Sequence, residues 1–386
     1  MMDDPFGLRS FGPADLVDRP GVKFRHAAGR LASWVADMGF PIAPAIVERL
    51  RDRVAVDVGY PAWDQSGRSH LPDLFVDRTA SRFGWSPAAD RIRELSEVIQ
   101  GVEFAIHHLT DPRDGIVLHT PSYPPFLESI ARSGRRLVAL PAVPTAAGFE
   151  WDYDALDDEL AKVGARLWIV CHPQNPTGHV FERGELEQIA EIALRHNLVV
   201  VSDEIHSELV HQPHVHVPFA SLGPEVARRT VTVTSSSKAF NLAGLRWGIM
   251  HVGVDRLRDE LDALPTHYVG TPNLLAVEAT DAAWRDGDAW LAAVRDQLDA
   301  NRHLLGELLC ERLPGIRYRM PQATYLAWLD CRDLGLGDDP AAAFRERGVD
   351  IYSGLRFGDI GAGFVRLNFA TSPTVLDATV QAMAGT

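Results

Sequence analysis

The sequence predicts an α/β fold in which a large domain, built on a mostly parallel sheet, is joined to a smaller α+β domain. The length of 386 residues suggests two domains, or one large domain with a smaller one attached. Apolar and β-branched runs alternate with helical patterns through the middle of the chain, as expected of strands that are covered on both faces. The C-terminal third combines a long helical pattern with short strands, which is α+β in character.

Five runs in the middle of the chain are candidate strands of the parallel sheet. An amphipathic helix separates the third run from the fourth, because apolar residues recur at helical spacing from Leu186 to Leu194. Strand, helix and strand in this order predict a right-handed crossover between parallel strands. The five runs are 115–119, 136–140, 166–171, 198–202 and 230–234.

The smaller domain is predicted from the C-terminal third together with the N-terminal segment, which we expect to pack on it. We therefore predict a large domain over 46–276 and a small domain made of 1–45 and 277–386. The predicted elements of the C-terminal third are a helix over about 286–313, strands near 323–329 and 364–369, and helices around 341–347 and 374–383.

Composition and charge indicate which partners, metal sites and cell compartments to expect. A net charge of −14 repels nucleic acid and anionic lipid, so we expect neither as a partner. The three cysteines, Cys171, Cys310 and Cys331, have no metal-ligand spacing, which predicts no metal site and fits a reducing cytoplasm. We find no signal peptide and no stretch near the roughly 18 apolar residues of a membrane span.

Two motifs directly follow predicted strands. Asn175 opens an Asn-Pro-Thr-Gly stretch, which on its own is either a simple turn or part of a ligand site. Asp203 stands at the carboxyl end of the next strand, where α/β sheets bind ligands, although an aspartate there could also cap a helix. Its neighbour Glu204 is expected to be structural.

Three basic residues complete the candidate site. Lys238 follows three serines and lies among apolar residues, so desolvation would lower its pKa and make it nucleophilic; the alternative is a solvated loop lysine. Arg246 could bind a phosphate together with the nearby serines, or form an ordinary ion pair. Arg366 lies in a strand-like pattern and could bind a carboxylate bidentately, with an ion pair to Asp or Glu as the alternative.

The order of these motifs resembles that of a known family. N-P-T-G, D-x-x-H, S-x-S-K and R-x-N-x-A follow one another as in the fold-type I pyridoxal-5′-phosphate (PLP) enzymes, the aspartate aminotransferase superfamily of class I and II. The resemblance covers nearly the whole chain. It implies a seven-stranded type of sheet, PLP as the cofactor and an amino acid as the small-molecule substrate.

The resemblance implies roles for the residues around the cofactor ring. Lys238 would hold PLP as a Schiff base and, once substrate displaces it, carry the Cα proton. Asp203 would pair with the pyridine nitrogen, so that the ring can accept negative charge. Asn175 would donate to the phenolic oxygen with His206 near the same edge, and Tyr123 would stack on the ring face.

The phosphate would be held mainly by Ser235, Ser237 and Arg246. The backbone N–H groups of Gly101 and Val102, at the predicted start of a helix, would face the same phosphate.

The remaining implied roles concern the neighbouring subunit and the substrate. Tyr60 would reach the phosphate of the neighbouring subunit, which implies a homodimer with shared active sites. Arg366 would bind the substrate α-carboxylate, and Asp37 or its backbone is a further candidate for that role.

Within the superfamily, the chain most resembles the cystathionine β-lyase-like C–S lyases of the MalY/PatB type. Two positions depart from them: Arg246 stands where this subgroup commonly has glutamine, and 57–60 lacks the expected aromatic-Gly-Tyr. We predict a C–S β-lyase acting on cystathionine or a related cysteine S-conjugate, with an aminotransferase as the alternative and a PLP-fold regulatory or binding protein as a third. The segments that carry this resemblance are 32–38, 121–126, 203–206, 237–245 and 323–328.

Overall fold

The structure is a computed structural model that describes residues 4–61, 63, 68–146 and 148–385. Its strands are β1 (Leu31–Ser33), β2 (Ile92–Leu95), β3 (Gly115–Thr120), β4 (Arg136–Pro141), β5 (Val143–Pro144), β6 (Phe149–Glu150), β7 (Ala165–Cys171), β8 (Val199–Asp203), β9 (Thr230–Thr234), β10 (Gly248–Val252), β11 (Arg317–Tyr318), β12 (Leu326–Asp330), β13 (Val349–Ser353) and β14 (Phe364–Asn368). Its α-helices are α1 (Ala14–Val17), α2 (Val22–Ala27), α3 (Pro44–Val56), α4 (Leu71–Phe83), α5 (Val98–Leu109), α6 (Pro124–Arg132), α7 (Tyr153–Leu160), α8 (Arg183–Arg195), α9 (Pro224–Ala227), α10 (Asp255–Asp262), α11 (Thr266–Val269), α12 (Leu274–Asp286), α13 (Asp288–Arg312), α14 (Pro340–Glu346) and α15 (Pro373–Ala384).

The large sheet has seven strands in the order β2-β10-β9-β8-β7-β3-β4. The five strands β3, β4, β7, β8 and β9 run parallel, and β10 is antiparallel to both β9 and β2. The parallel strands are the five predicted runs, each within one residue at either end, so the mostly parallel sheet is confirmed. The sequence analysis did not predict β2 or β10.

Strand β7 shows why the predicted run 166–171 is apolar after its first residue. Leu167 and Ile169 pack in a cluster with residues of α5, whereas Trp168 and Val170 pack on the opposite side with residues of α8. All four side chains are fully buried. Burying one such side chain stabilises a fold by roughly 1.5–3 kcal/mol, so a polar residue at any of these four positions would be costly.

A second sheet has five strands in the order β1-β13-β14-β12-β11. The N-terminal strand β1 pairs in parallel with β13, and Leu31 lies opposite Val349. This pairing brings the segment before residue 45 against the C-terminal part of the chain. Strand β14 lies between β13 and β12 and is antiparallel to both, which places Arg366 in the middle of this sheet.

The long helix predicted over about 286–313 is confirmed as α13, and a second helix, α12, lies before it on the other side of Gly287. A Cβ atom on Gly287 would lie 2.5 Å from the Ala283 carbonyl oxygen and 2.7 Å from the Phe240 ring, so no side chain fits there. Gly287 flanks the end of α12 and the start of α13. The predicted domain boundary at 276–277 falls inside α12, and the division into two domains stays a prediction.

The carboxyl ends of the parallel strands position the polar motifs. Asn175 comes shortly after β7, Asp203 ends β8, and Lys238 comes shortly after β9. Because these strands are neighbours and run parallel, their ends lie at one edge of the sheet. Among the described residues, no helix is both long and apolar enough to cross a membrane.

Candidate active site

A cavity of about 240 Å³ opens at this edge of the large sheet. It brings together seven of the residues singled out from the sequence, and its other polar lining residue is Glu97. Chemical groups that the sequence separates by more than a hundred positions thus converge on one space. The seven are Tyr123, Asn175, Asp203, His206, Ser237, Lys238 and Arg246.

Lys238 is half-buried and presents its amine to the cavity. Its Nζ donates a hydrogen bond to the Ala36 carbonyl oxygen at 2.7 Å. Burial lowers the pKa of Lys238 to about 8, and the nearby Arg366 cation lowers it further while Asp37 and Asp203 oppose the change. The sequence alternative of a solvated loop lysine is therefore wrong, and the amine can gain or lose a proton near neutral pH.

Asp203 is buried, and it contacts the same cavity. Its Oδ1 accepts a hydrogen bond from the Ile205 amide at 3.0 Å. Burial raises the pKa of Asp203 to about 7, and the neighbouring Glu204 carboxylate adds to the rise. A cationic group in the cavity would stabilise the ionised form, which is the partner that a protonated pyridine nitrogen requires.

His206 lies beside Asp203 as a buried, neutral imidazole. Burial lowers its pKa to about 3, and the charges of Lys238 and Arg366 act in the same direction. Its Nδ1 is buried without a hydrogen-bond partner among the described residues. A free ring nitrogen at the wall of a cavity is a polar contact that a bound ligand can satisfy.

Arg366 is a buried cation that forms no ion pair among the described residues. One Nη donates to Asn175 Oδ1 at 3.0 Å and the other to the Trp34 carbonyl oxygen at 2.9 Å, while its Nε has no partner. Burial lowers the pKa of Arg366 to about 10, so the guanidinium stays charged at neutral pH. The predicted alternative, an ion pair with Asp or Glu, is wrong, and the cation is available to a ligand carboxylate.

The loop 34–38 joins these groups through its backbone carbonyls. Lys238 and Tyr325 both donate to the Ala36 carbonyl, Tyr325 through its hydroxyl at 2.9 Å. Asn368 donates from one amide nitrogen to the carbonyls of Val35 and Asp37, at 2.6 and 2.7 Å. Sequence reasoning singled out this loop but missed Tyr325 and Asn368 as its supports.

Asp37 lies near two lysines, the buried Lys23 and the half-buried Lys238. Lys23 Nζ donates to the Asp37 carbonyl at 2.8 Å and lies 3.9 Å from its Oδ1, and the charge of Lys238 acts on the same carboxyl. Burial raises the pKa of Asp37, and the two lysines oppose that rise. No sequence pattern pointed to Lys23, although the chain contains only three lysines: Lys23, Lys162 and Lys238.

The predicted phosphate contacts of Gly101 and Val102 are wrong. Helix α5 begins at Val98, so Val98 and Ile99 supply the first-turn amides and line the cavity. A Cβ on Gly101 would lie 2.7 Å from Val233 Cγ1, so this glycine permits close packing of α5 on the sheet. Val102 is fully buried in the same interface.

Ser235 also differs from its predicted role. Its hydroxyl donates to the Trp247 carbonyl at 2.7 Å and accepts from the Ser237 amide at 3.0 Å, which shapes the turn before Lys238. Ser235 lines a separate small cavity behind this turn. Ser237 and Arg246 do line the main cavity, and Arg246 forms an ion pair with Glu97.

Tyr60 lies outside the cavity of its own chain. It follows α3, and its side chain is fully exposed. Its predicted contact is with a neighbouring subunit, so this role stays a prediction.

The donor set of the cavity fits PLP. Lys238 offers an amine for the aldehyde, Asp203 a carboxyl for the ring nitrogen and Asn175 an amide for the phenolic oxygen. Ser237, Arg246 and the first turn of α5 offer donors to a phosphate at the other end. The partnerless His206 Nδ1 and Arg366 Nε are the orphaned polar atoms expected where a ligand and its substrate bind.

Comparison with known proteins gives related chains over almost the full length. A family model described as aminotransferase class I and II matches residues 58–383. The chain is 33% identical to cystathionine beta-lyase PatB of Bacillus subtilis, across 90% of this chain and 89% of PatB. The PLP-bound C-S lyase from Staphylococcus hominis superposes with a TM-score of 0.89 at 28% identity, covering 97% and 98% of the two chains. N-succinyldiaminopimelate aminotransferase from Mycobacterium tuberculosis superposes with a TM-score of 0.85 at 27% identity, covering 99% and 98%.

Proposed function

The chain belongs to the aminotransferase class I and II family, and from that premise we propose that it is a PLP-dependent carbon–sulfur β-lyase. Its substrate is cystathionine or a related cysteine S-conjugate, which it converts with one water into a thiol, pyruvate and ammonia. Support comes from relatives named cystathionine beta-lyase and C-S lyase that align over nine tenths of the chain or more.

The observation that best supports an amino-acid substrate is the buried cation of Arg366, which has no ion-pair partner among the described residues and lies beside the cavity of Lys238. Arg366 can exchange its hydrogen bond to the Trp34 carbonyl for one to a substrate α-carboxylate, and its Nε is free to add a second. Such a contact fixes the amino acid by its carboxylate and directs its Cα toward Lys238.

Lys238 is the group that moves the proton. PLP, when bound, supplies an electron sink that accepts the charge developing at the substrate Cα. Lys238 Nζ has a pKa near 8, so it can take the Cα proton at neutral pH and return it later. The buried Asp203 carboxyl would hold the ring nitrogen in its protonated form, and Asn175 would orient the ring through its amide. In the lyase, the thiolate then leaves from Cβ.

An aminotransferase is the second candidate. It would share the proton acceptor Lys238, and would differ in that no thiolate leaves and the substrate's amino group is passed on to a 2-oxo acid. Arg246 favours it, since an arginine lines the cavity where the lyase subgroup commonly has glutamine. A PLP-fold regulatory or binding protein is a third possibility that the complete set of site residues disfavours.

We also propose a cytoplasmic homodimer in which Tyr60 of each chain reaches the phosphate site of its partner. An exposed apolar run supports the dimer, because such a run is stable when a second chain covers it. The cysteines are all free, as a reducing compartment requires. The exposed run consists of Val54, Val56, Val58 and Tyr60.

The test of the proposed reaction is an incubation with cystathionine in the absence of any 2-oxo acid. We expect continuous release of pyruvate over many turnovers, and none from Lys238→Ala. A wild-type enzyme that forms no pyruvate, and that consumes the amino acid only after a 2-oxo acid is added, would be an aminotransferase.

A further inference from the structure

A carboxylate stands in the part of the cavity that fits the cofactor phosphate. Glu97 immediately precedes α5, and its side chain makes no capping hydrogen bond to that helix. It forms an ion pair with Arg246 instead, with the two side chains 39% and 61% exposed. Both residues line the cavity, so the pair lies at its mouth and can open without disturbing the core.

Arg246 supplies the positive charge at the end of the cavity that fits the phosphate. Of the other lining residues at this end, Val98, Ile99 and Ser237 offer backbone amides or a hydroxyl, which are neutral donors. Lys238 is the second lining cation, and it is committed to the Ala36 carbonyl at the ring end. A phosphate dianion therefore depends on Arg246 for charge compensation, and Glu97 neutralises that charge.

We propose that Glu97 competes with the cofactor phosphate for Arg246. The carboxylate and the phosphate seek the same guanidinium, and both carry negative charge near the first turn of α5. Binding of PLP requires Arg246 to leave Glu97, which lowers the affinity for PLP and keeps the cofactor exchangeable. The proposal rests on the proposed function, in which PLP is the cofactor, and on the fit of Arg246 to the cofactor phosphate.

Cofactor affinity tests this proposal without reference to turnover. Apoenzyme is titrated with PLP and, separately, with pyridoxal, which has the same ring and aldehyde but no phosphate. Glu97→Gln keeps the size of the side chain and removes its charge. We expect it to tighten PLP binding by about fivefold or more and to leave pyridoxal binding within about twofold of wild type.

Glu103→Gln is the matched control. Glu103 lies on α5, is partly exposed and lies 3.3 Å from the His107 ring nitrogen, but it does not line this cavity. It should leave the affinity for PLP unchanged. Equal tightening in Glu103→Gln, or equal gains for pyridoxal and PLP in Glu97→Gln, would overturn the proposal.

The variant Arg246→Gln distinguishes two ways in which Glu97 could weaken PLP binding: competition with the phosphate for Arg246, and direct repulsion of the phosphate. If Glu97 acts through Arg246, the increase in PLP affinity caused by Glu97→Gln falls to less than about twofold when Arg246→Gln is also present. An undiminished gain would show that Glu97 repels the phosphate directly and that the competition is wrong. Arg246→Gln by itself should weaken PLP binding; if it does not, the phosphate contact assigned to Arg246 fails, whatever reaction the enzyme catalyses.

Discussion

Lys238 and Ala36 are hydrogen-bonded at 2.7 Å although 202 positions separate them in the chain. The bond joins the lysine after β9 to the N-terminal loop that also holds Arg366 through the Trp34 carbonyl. The loop therefore sets the relative position of the residue that moves the proton and the residue that binds the carboxylate. Residues that hold this loop in place are therefore good sites for mutation, because changing them should affect both functions.

Tyr325→Phe should lower both stability and activity. Its hydroxyl donates to the same Ala36 carbonyl at 2.9 Å, and its ring is fully buried. Loss of one such bond costs about 1 kcal/mol of unfolding free energy, and displacement of the loop should lower kcat/KM by about tenfold. Urea unfolding and steady-state kinetics measure the two effects.

Tyr318→Phe is the control for this variant. Tyr318 donates to the Arg302 carbonyl at 3.1 Å, away from the cavity. It should lose a similar amount of stability with kcat/KM unchanged. Equal losses of activity in the two variants would mean that Tyr325 affects catalysis only through global stability.

The sequence allowed prediction of the parallel strands and of the residues at their ends. Strands such as β7, covered by helices on both faces, are apolar at nearly every position, with Arg166 near the start of β7 as the exposed exception, and this gives a strong local signal. Asn175, Asp203 and Lys238 follow such strands, so the order of the strands brought them together in one cavity. For these residues the local sequence pattern was enough to predict that they lie together in the folded chain.

The start of α5 could not be predicted, for a local reason. Its N-terminal flanking residue is Glu97, which makes no capping bond, and Val98 and Ile99 are β-branched, so no usual start signal is present. Gly101 was mistaken for a phosphate-binding glycine although its role is close packing against Val233. Lys23 was missed because its partner Asp37 becomes a neighbour only through the tertiary fold.

The pH dependence of stability should reveal the buried Lys23. Burial lowers its pKa to about 8 from an ordinary 10.5, so between these values the unfolded chain binds more protons than the folded one. The contribution of Lys23 to stability is therefore least favourable below pH 8 and rises with pH through this window. The unfolding free energy of wild type relative to Lys23→Met should increase by up to about 3 kcal/mol across it.

Lys162→Met provides the comparison, since Lys162 is the exposed lysine of the three. Urea unfolding at a series of pH values should give a flat difference between wild type and this variant. The difference in unfolding free energy between wild type and Lys23→Met should change more steeply with pH than the difference for Lys162→Met. An equal or smaller change would refute the assignment of Lys23 as a buried cation.

Mixing of two defective chains tests the shared site. Tyr60→Phe should weaken PLP binding, and Lys238→Ala should be inactive. Random reassociation of equal amounts gives hybrid dimers with one wild-type site, about a quarter of all sites, and should restore activity at limiting PLP. The control mixes Tyr60→Phe with a chain carrying both substitutions, which forms no wild-type site. Activity no higher than in this control would contradict the contact across subunits.

Chemical labelling of the cofactor lysine tests the central claim most directly. The holoenzyme is reduced with borohydride and digested, and the peptides that contain Lys23, Lys162 and Lys238 are compared by mass spectrometry. We predict the phosphopyridoxyl group on Lys238 alone, and none in enzyme that is first converted to the apo form. A label on Lys23, or no label on any of the three lysines, would contradict the assignment of Lys238 as the residue that holds PLP.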